Sequence, residues 1–126
     1  MIGTGTVGRA FVARYLRLRD GGAALPRFEV LVNSRGAADC RRDPAGALDQ
    51  ALALSRATTT RGFDATAFRA GDVIVDATAS DDVAAAHAAW LGRGIHVVTA
   101  NKLGSGGDLD RAQAIAGAHR LTGARY

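Results

Sequence analysis

At 126 residues, 48% hydrophobic and 22% charged, the chain has the size and composition of one globular domain able to bury its own core. Its net charge of +4 comes from fifteen arginines and one lysine scattered along the sequence. With aromatics at only 6%, no base-stacking platform is in view, which argues against nucleic acid as a partner.

No apolar run approaches the roughly 20 residues of a membrane span. Arg9 and Arg14 interrupt the N-terminal region before the apolar core of a signal peptide could form. Cys40 is the only cysteine, so no internal disulfide is possible and a reducing, cytoplasmic setting is expected.

The chain opens with "GTGTVG", Gly3 to Gly8, and passes directly into a helical pattern in which Val7, Phe11, Tyr15 and Leu18 share a face. "GGAALP" breaks that helix. "RFEVLVNS" then reads as a strand, and its nearly continuous apolar run through Phe28, Val30, Leu31 and Val32 suggests burial on both faces. "DPAGALDQALALSRA" reads as a helix with Asp43 as cap and Pro44 at its first position, and "TTTRGFDATAFRAG" as a loop with one short helix. Val73 to Asp76 is a second buried strand. A helix follows from Ser80 or Asp81 to a terminator at Gly92 or Gly94. "IHVVTAN" is a third strand, and a last helix follows a glycine-rich loop. Strand alternating with helix implies an α/β fold, a Rossmann-like doubly wound parallel sheet over residues 1–126. Only Met1 and Ile2 precede the glycines, so its first strand is expected to be truncated and the chain to be a piece of a longer protein.

The chemistry follows from the strand ends. "GTGTVG" fits G-x-G-x-x-G: Gly3 permits a tight turn, Gly5 lets backbone amides approach a pyrophosphate, and Gly8 lets the helix pack closely, with its positive end offered to phosphate. The strand after it ends in Asn33, Ser34 and Arg35, with no acid to grip a ribose hydroxyl. A guanidinium there suits a 2′-phosphate, so NADP is favoured over NAD, although Arg35 also reads as one more solvated arginine. "DATAS" places Thr78 and Ser80 at a carboxyl strand end, within reach of a cofactor ribose or carboxamide; Ser80 equally suits a helix cap. Trp90 and Phe11 read as core. No metal is expected, since His87, His96 and His119 lack ligand spacing. Lys102 closes "VVTANK". Arginine cannot give up a proton near neutrality, whereas a lysine can when its surroundings disfavour the charge, so a lone lysine here suggests such a role.

Together "GTGTVG", "LVNS", "IVDATAS" and "GIHVVTANK" resemble, in order and separation, the nucleotide-binding half of homoserine dehydrogenase, free-standing or fused behind an aspartate kinase. The resemblance implies that Gly3, Thr4, Gly5, Thr6, Val7 and Gly8 cradle the pyrophosphate and that Ser34 and Arg35 neighbour the adenosine ribose. Thr78 and Ser80 would lie near the nicotinamide, and Lys102 would reach cofactor and substrate and move a proton to the substrate oxygen. The reaction implied is hydride transfer between NAD(P)H and aspartate 4-semialdehyde, giving L-homoserine, a step of threonine and methionine biosynthesis. Ala100 and Leu103 depart from the proline and second basic residue common in relatives. The substrate-binding and dimerising region is expected downstream, with homo-oligomers in the full-length enzyme and no turnover by this chain alone. The rival expectations are a nucleotide-sensing module without catalysis and a dehydrogenase of another amino-acid-derived aldehyde.

Overall fold

A computed structural model describes residues 1–53 and 67–126, which belong to two compact units, Met1–Phe63 and Asp64–Tyr126. Most of the loop and short helix expected at "TTTRGFDATAFRAG" lies outside the described residues, as does the end of the helix begun at Pro44.

The first unit runs α1 (Thr6–Asp20), β1 (Val30–Asn33), β2 (Gly36–Asp39) and α2 (Pro44–Ala53). Ahead of α1, Ile2 forms a parallel bridge with Val32, framed by Val32 N–H to the Met1 carbonyl at 2.9 Å and Gly3 N–H to the Val32 carbonyl at 2.7 Å. The glycines therefore do leave a strand-like stretch lying beside β1. The antiparallel β2 was not anticipated from sequence. Asn33 Oδ1 accepts the amides of Arg35 at 2.7 Å and Gly36 at 3.1 Å, and this side-chain turn reverses the chain so that Val30 pairs with Asp39 and Asn33 with Gly36. Val12, Phe28, Leu31, Ala38, Cys40, Ala47 and Ala51 form the core of this unit, with Phe11, Tyr15 and Leu16 packed against it. The buried stripe of α1 thus runs through Gly8 and Val12. Val7, expected on that face, is 51% exposed at the first turn.

The second unit runs β3 (Val73–Asp76), α3 (Asp81–Ala85), α4 (His87–Gly92), β4 (His96–Thr99), α5 (Leu103–Gly106) and α6 (Leu109–Thr122). β3 and β4 are parallel, Val73 opposite His96 and Asp76 opposite Thr99. The one helix expected after Ser80 is two, separated at Ala86. Ile74 and Val97 are buried with Trp90, Leu91, Ile95 and Ile115. On the opposite face of the strands Val73 is 42% and Val98 54% exposed, so among the described residues of this unit the strands are covered on one side only. The described strands form one antiparallel and one parallel pair, a mixed α/β arrangement in which the parallel sheet expected is seen in part, as the β3–β4 pair. The hairpin at Asn33 accounts for the antiparallel pair. No described helix is long and apolar enough to cross a membrane.

Candidate functional site

In the first unit the glycine loop is fixed by geometry. Gly3 has φ 101°, a region other residues avoid, and a Cβ at Gly8 would collide with the Gly3 carbonyl oxygen. Gly5 is different. It caps α1 without a side-chain hydrogen bond, and a Cβ there would meet nothing within 4 Å. The space before the helix is open, the first-turn amides lack intrahelical acceptors, and no acidic side chain occupies that turn. An anion with several oxygens suits this end of α1.

Asn33, which the sequence marks only as the end of a strand, joins this loop to the hairpin. Its Nδ2 donates to Thr4 Oγ1 at 3.2 Å and to the Ala51 carbonyl at 2.8 Å, while its Oδ1 holds the turn. Gly3 to Gly8 and the turn residues Ser34 and Arg35 are thereby brought together. Ser34 is exposed. Arg35 is engaged: its Nη1 donates to the Leu52 carbonyl at 2.7 Å, at the carboxyl end of α2.

In the second unit the ends of β3 and β4 meet at Asp76, fully buried. Asp76 Oδ1 accepts the Thr78 amide at 2.9 Å and its hydroxyl at 2.7 Å, and Oδ2 lies 2.9 Å from His87 Nε2. Burial pushes this carboxyl up, but the bonds from His87 and Thr78 outweigh it and hold the group below its ordinary value. Thr78 Oγ1 also accepts the Ser80 amide at 3.1 Å, and Ser80 Oγ accepts the Val83 amide at 3.4 Å, so Ser80 does cap α3. Asn101 closes the junction. Its Nδ2 donates to the Ser80 carbonyl at 2.8 Å and its Oδ1 accepts the Leu103 amide at 3.1 Å. Thr78, Ser80 and the strand end preceding Lys102 are thus one hydrogen-bonded assembly.

The Lys102 side chain is exposed and makes no hydrogen bond or ion pair with another described residue. It lines an open cleft of about 1070 Å³ along β4, with Thr99, Asn101, Ser105, Arg125 and Tyr126 among the other walls. Asp76, His87, Asn101 and Tyr126 were not anticipated as site residues. An acid at the end of an apolar strand and an asparagine inside "TANK" were the signals available for two of them. Among the described residues no three His, Cys, Asp or Glu side chains cluster as a metal site would require.

Residues 3–126 match the family model described as homoserine dehydrogenase, NAD binding domain. Among curated proteins, the chloroplastic bifunctional aspartokinase/homoserine dehydrogenase 1 of Arabidopsis thaliana is 42% identical over 59 residues, 47% of this chain and 6% of that protein. The chloroplastic bifunctional aspartokinase/homoserine dehydrogenase of Daucus carota is 54% identical over 39 residues, 31% of this chain and 4% of its own length. No solved structure matches.

Proposed function

The chain belongs to the family of homoserine dehydrogenase NAD-binding domains, and from that premise we propose that it is the cofactor-binding part of an oxidoreductase interconverting aspartate 4-semialdehyde and L-homoserine. Family membership supports a Rossmann-like arrangement for the whole domain. The observation that carries the reading is the junction at Asp76, which seats the one lysine of the chain at a strand end beside an open cleft.

The residues present fit a dinucleotide. The open, uncapped end of α1 suits a diphosphate, and the turn at Ser34 and Arg35 suits the ribose beside it. When bound, the dinucleotide supplies the hydride. The chain's own residues do the rest. Gly3, Thr4, Gly5, Thr6, Val7 and Gly8 hold and orient the phosphates. Thr78 and Ser80 shape the nicotinamide side through backbone held by Asp76. Lys102 Nζ donates a proton to the carbonyl oxygen of the aldehyde as it is reduced, and takes it back in the reverse direction. The substrate is a small molecule gripped mainly by parts of the protein beyond this segment, which are also the parts that pair subunits. The lone buried Cys40 supports a reducing compartment such as the cytoplasm.

NADP(H) is the preferred cofactor, because no acid stands at the end of β1 to repel a 2′-phosphate. Titrating NADPH and NADH by nicotinamide fluorescence tests this. Arg35→Ala is expected to weaken NADPH about tenfold, the loss of one charge-assisted bond, and NADH little; equal losses for both cofactors would trace the effect to the end of α2 instead. In the whole enzyme, Lys102→Arg is expected to lower kcat at least about a hundredfold with cofactor affinity nearly kept. Unchanged turnover would leave only a nucleotide-holding module.

A further inference from the structure

The mechanism above makes no use of His87, a fully buried imidazole on α4. Its Nε2 lies 2.9 Å from Asp76 Oδ2 and its Nδ1 3.2 Å from the Tyr126 hydroxyl. The Asp76 carboxylate only accepts, since Thr78 donates to its other oxygen and Thr99 Oγ1 approaches Oδ2 at 3.4 Å. His87 Nε2 must therefore carry hydrogen. Its Nδ1 makes the second bond, shared with the Tyr126 hydroxyl. Trp90 and Tyr126 flank the ring, each with its centroid 5.6 Å away.

The outer end of this line rests on the turn that follows Lys102. Gly104 is buried in α5, and a Cβ on it would collide with the Tyr126 hydroxyl and stand 2.9 Å from His87 Nδ1. Ser105 of the same turn lines the cleft together with Tyr126. The backbone of α5 thus sits on the His87–Tyr126 pair, and it can do so only because residue 104 has no side chain. From the other side, Asp76 anchors Thr78 and, through Thr99, the end of β4.

We infer that His87 is a positioning residue: bridging Asp76 and Tyr126 through its two ring nitrogens, it sets the turn carrying Lys102 against the strand end carrying Thr78. The inference rests on the reading of Lys102 as the group that meets cofactor and substrate, but the seat itself is measurable without either.

Nitrogen-15 correlation spectra of the histidine rings at neutral pH are expected to show His87 with hydrogen on Nε2. A ring with hydrogen on Nδ1 alone would leave Nε2 facing the carboxylate with nothing to give and would overturn the bridge in the wild-type chain, with no variant needed. Hydrogen exchange supplies the second measurement. The Leu103 and Gly106 amides bond to Asn101 Oδ1 and the Lys102 carbonyl, at 3.1 and 2.8 Å. Tyr126→Phe and Gly104→Ala should speed their exchange about fivefold, the factor one lost hydrogen bond carries, while the Val97 amide in β4 stays as slow as in wild type. Equal acceleration of Val97 would mean general loosening and would overturn positioning, as would no acceleration at all. Acylation of Lys102 by an amine-directed reagent, with and without saturating NADPH, separates the functional reading from this one. Protection by NADPH supports Lys102 as a cofactor contact. Its absence would remove that reading while leaving the ring and exchange results to stand or fall alone.

Discussion

At the scale of single residues, the same type can serve opposite ends. Gly3 and Gly8 are demanded from within, by backbone angle and by crowding, whereas Gly5 faces open space and is demanded by neither. That contrast separates glycines that shape the turn from the one that leaves room for a visitor. Cys40 illustrates burial acting on a titratable group. It is 1% exposed in the core of the first unit, and desolvation pushes its thiol up to about 11. It is therefore expected to resist thiol reagents at about pH 8 until the unit unfolds, so its labelling rate should follow the urea transition; rapid labelling of folded protein would contradict the burial. Lys102 stood out as a candidate because the composition made it an exception. His87 was not, because one histidine in an alanine-rich helix carries no mark of what lies across from it.

At the scale of elements, the sequence announced starts better than faces. Asp43 accepts the Ala45 and Gly46 amides at 3.1 and 3.0 Å, and Ser80 caps α3, both where the pattern placed them. The burial of β3 was misjudged, since a short apolar run does not say whether one or both faces will be covered. β2 was invisible because "GAAD" has little intrinsic strand preference; its pairing is imposed by the Asn33 turn. The start of α6 provides a test. Asp108 accepts the Arg111 amide at 2.9 Å, and Arg111 in turn pairs with Asp81 at 2.8 Å and bonds the Leu103 carbonyl at 3.0 Å. Asp108→Ala is expected to cost about 1 kcal/mol by urea denaturation, with Asp108→Ser recovering most of it. A neutral result would show that the Arg111 contacts alone hold that end.

At the scale of the molecule, the acid limb of stability should carry the mark of Asp76. Its folded value lies below the ordinary 3.8, so the stabilisation is complete above that ordinary value and is lost as pH falls through the folded one. Urea midpoints measured from about pH 7 down to about pH 3 should therefore fall steeply at the acid end. Asp76→Asn should be less stable at neutrality and show a shallower fall; a slope unchanged by the substitution would assign the acid sensitivity elsewhere.

Asn101 gives its amide hydrogens to the Ser80 carbonyl and takes one from the Leu103 amide with the oxygen beside them. An acid has nothing to give, so slow deamidation at this position would set a carboxylate against a carbonyl where attraction had been. Chemical ageing of a single side chain would then unfasten the two loops from each other while every strand stayed intact.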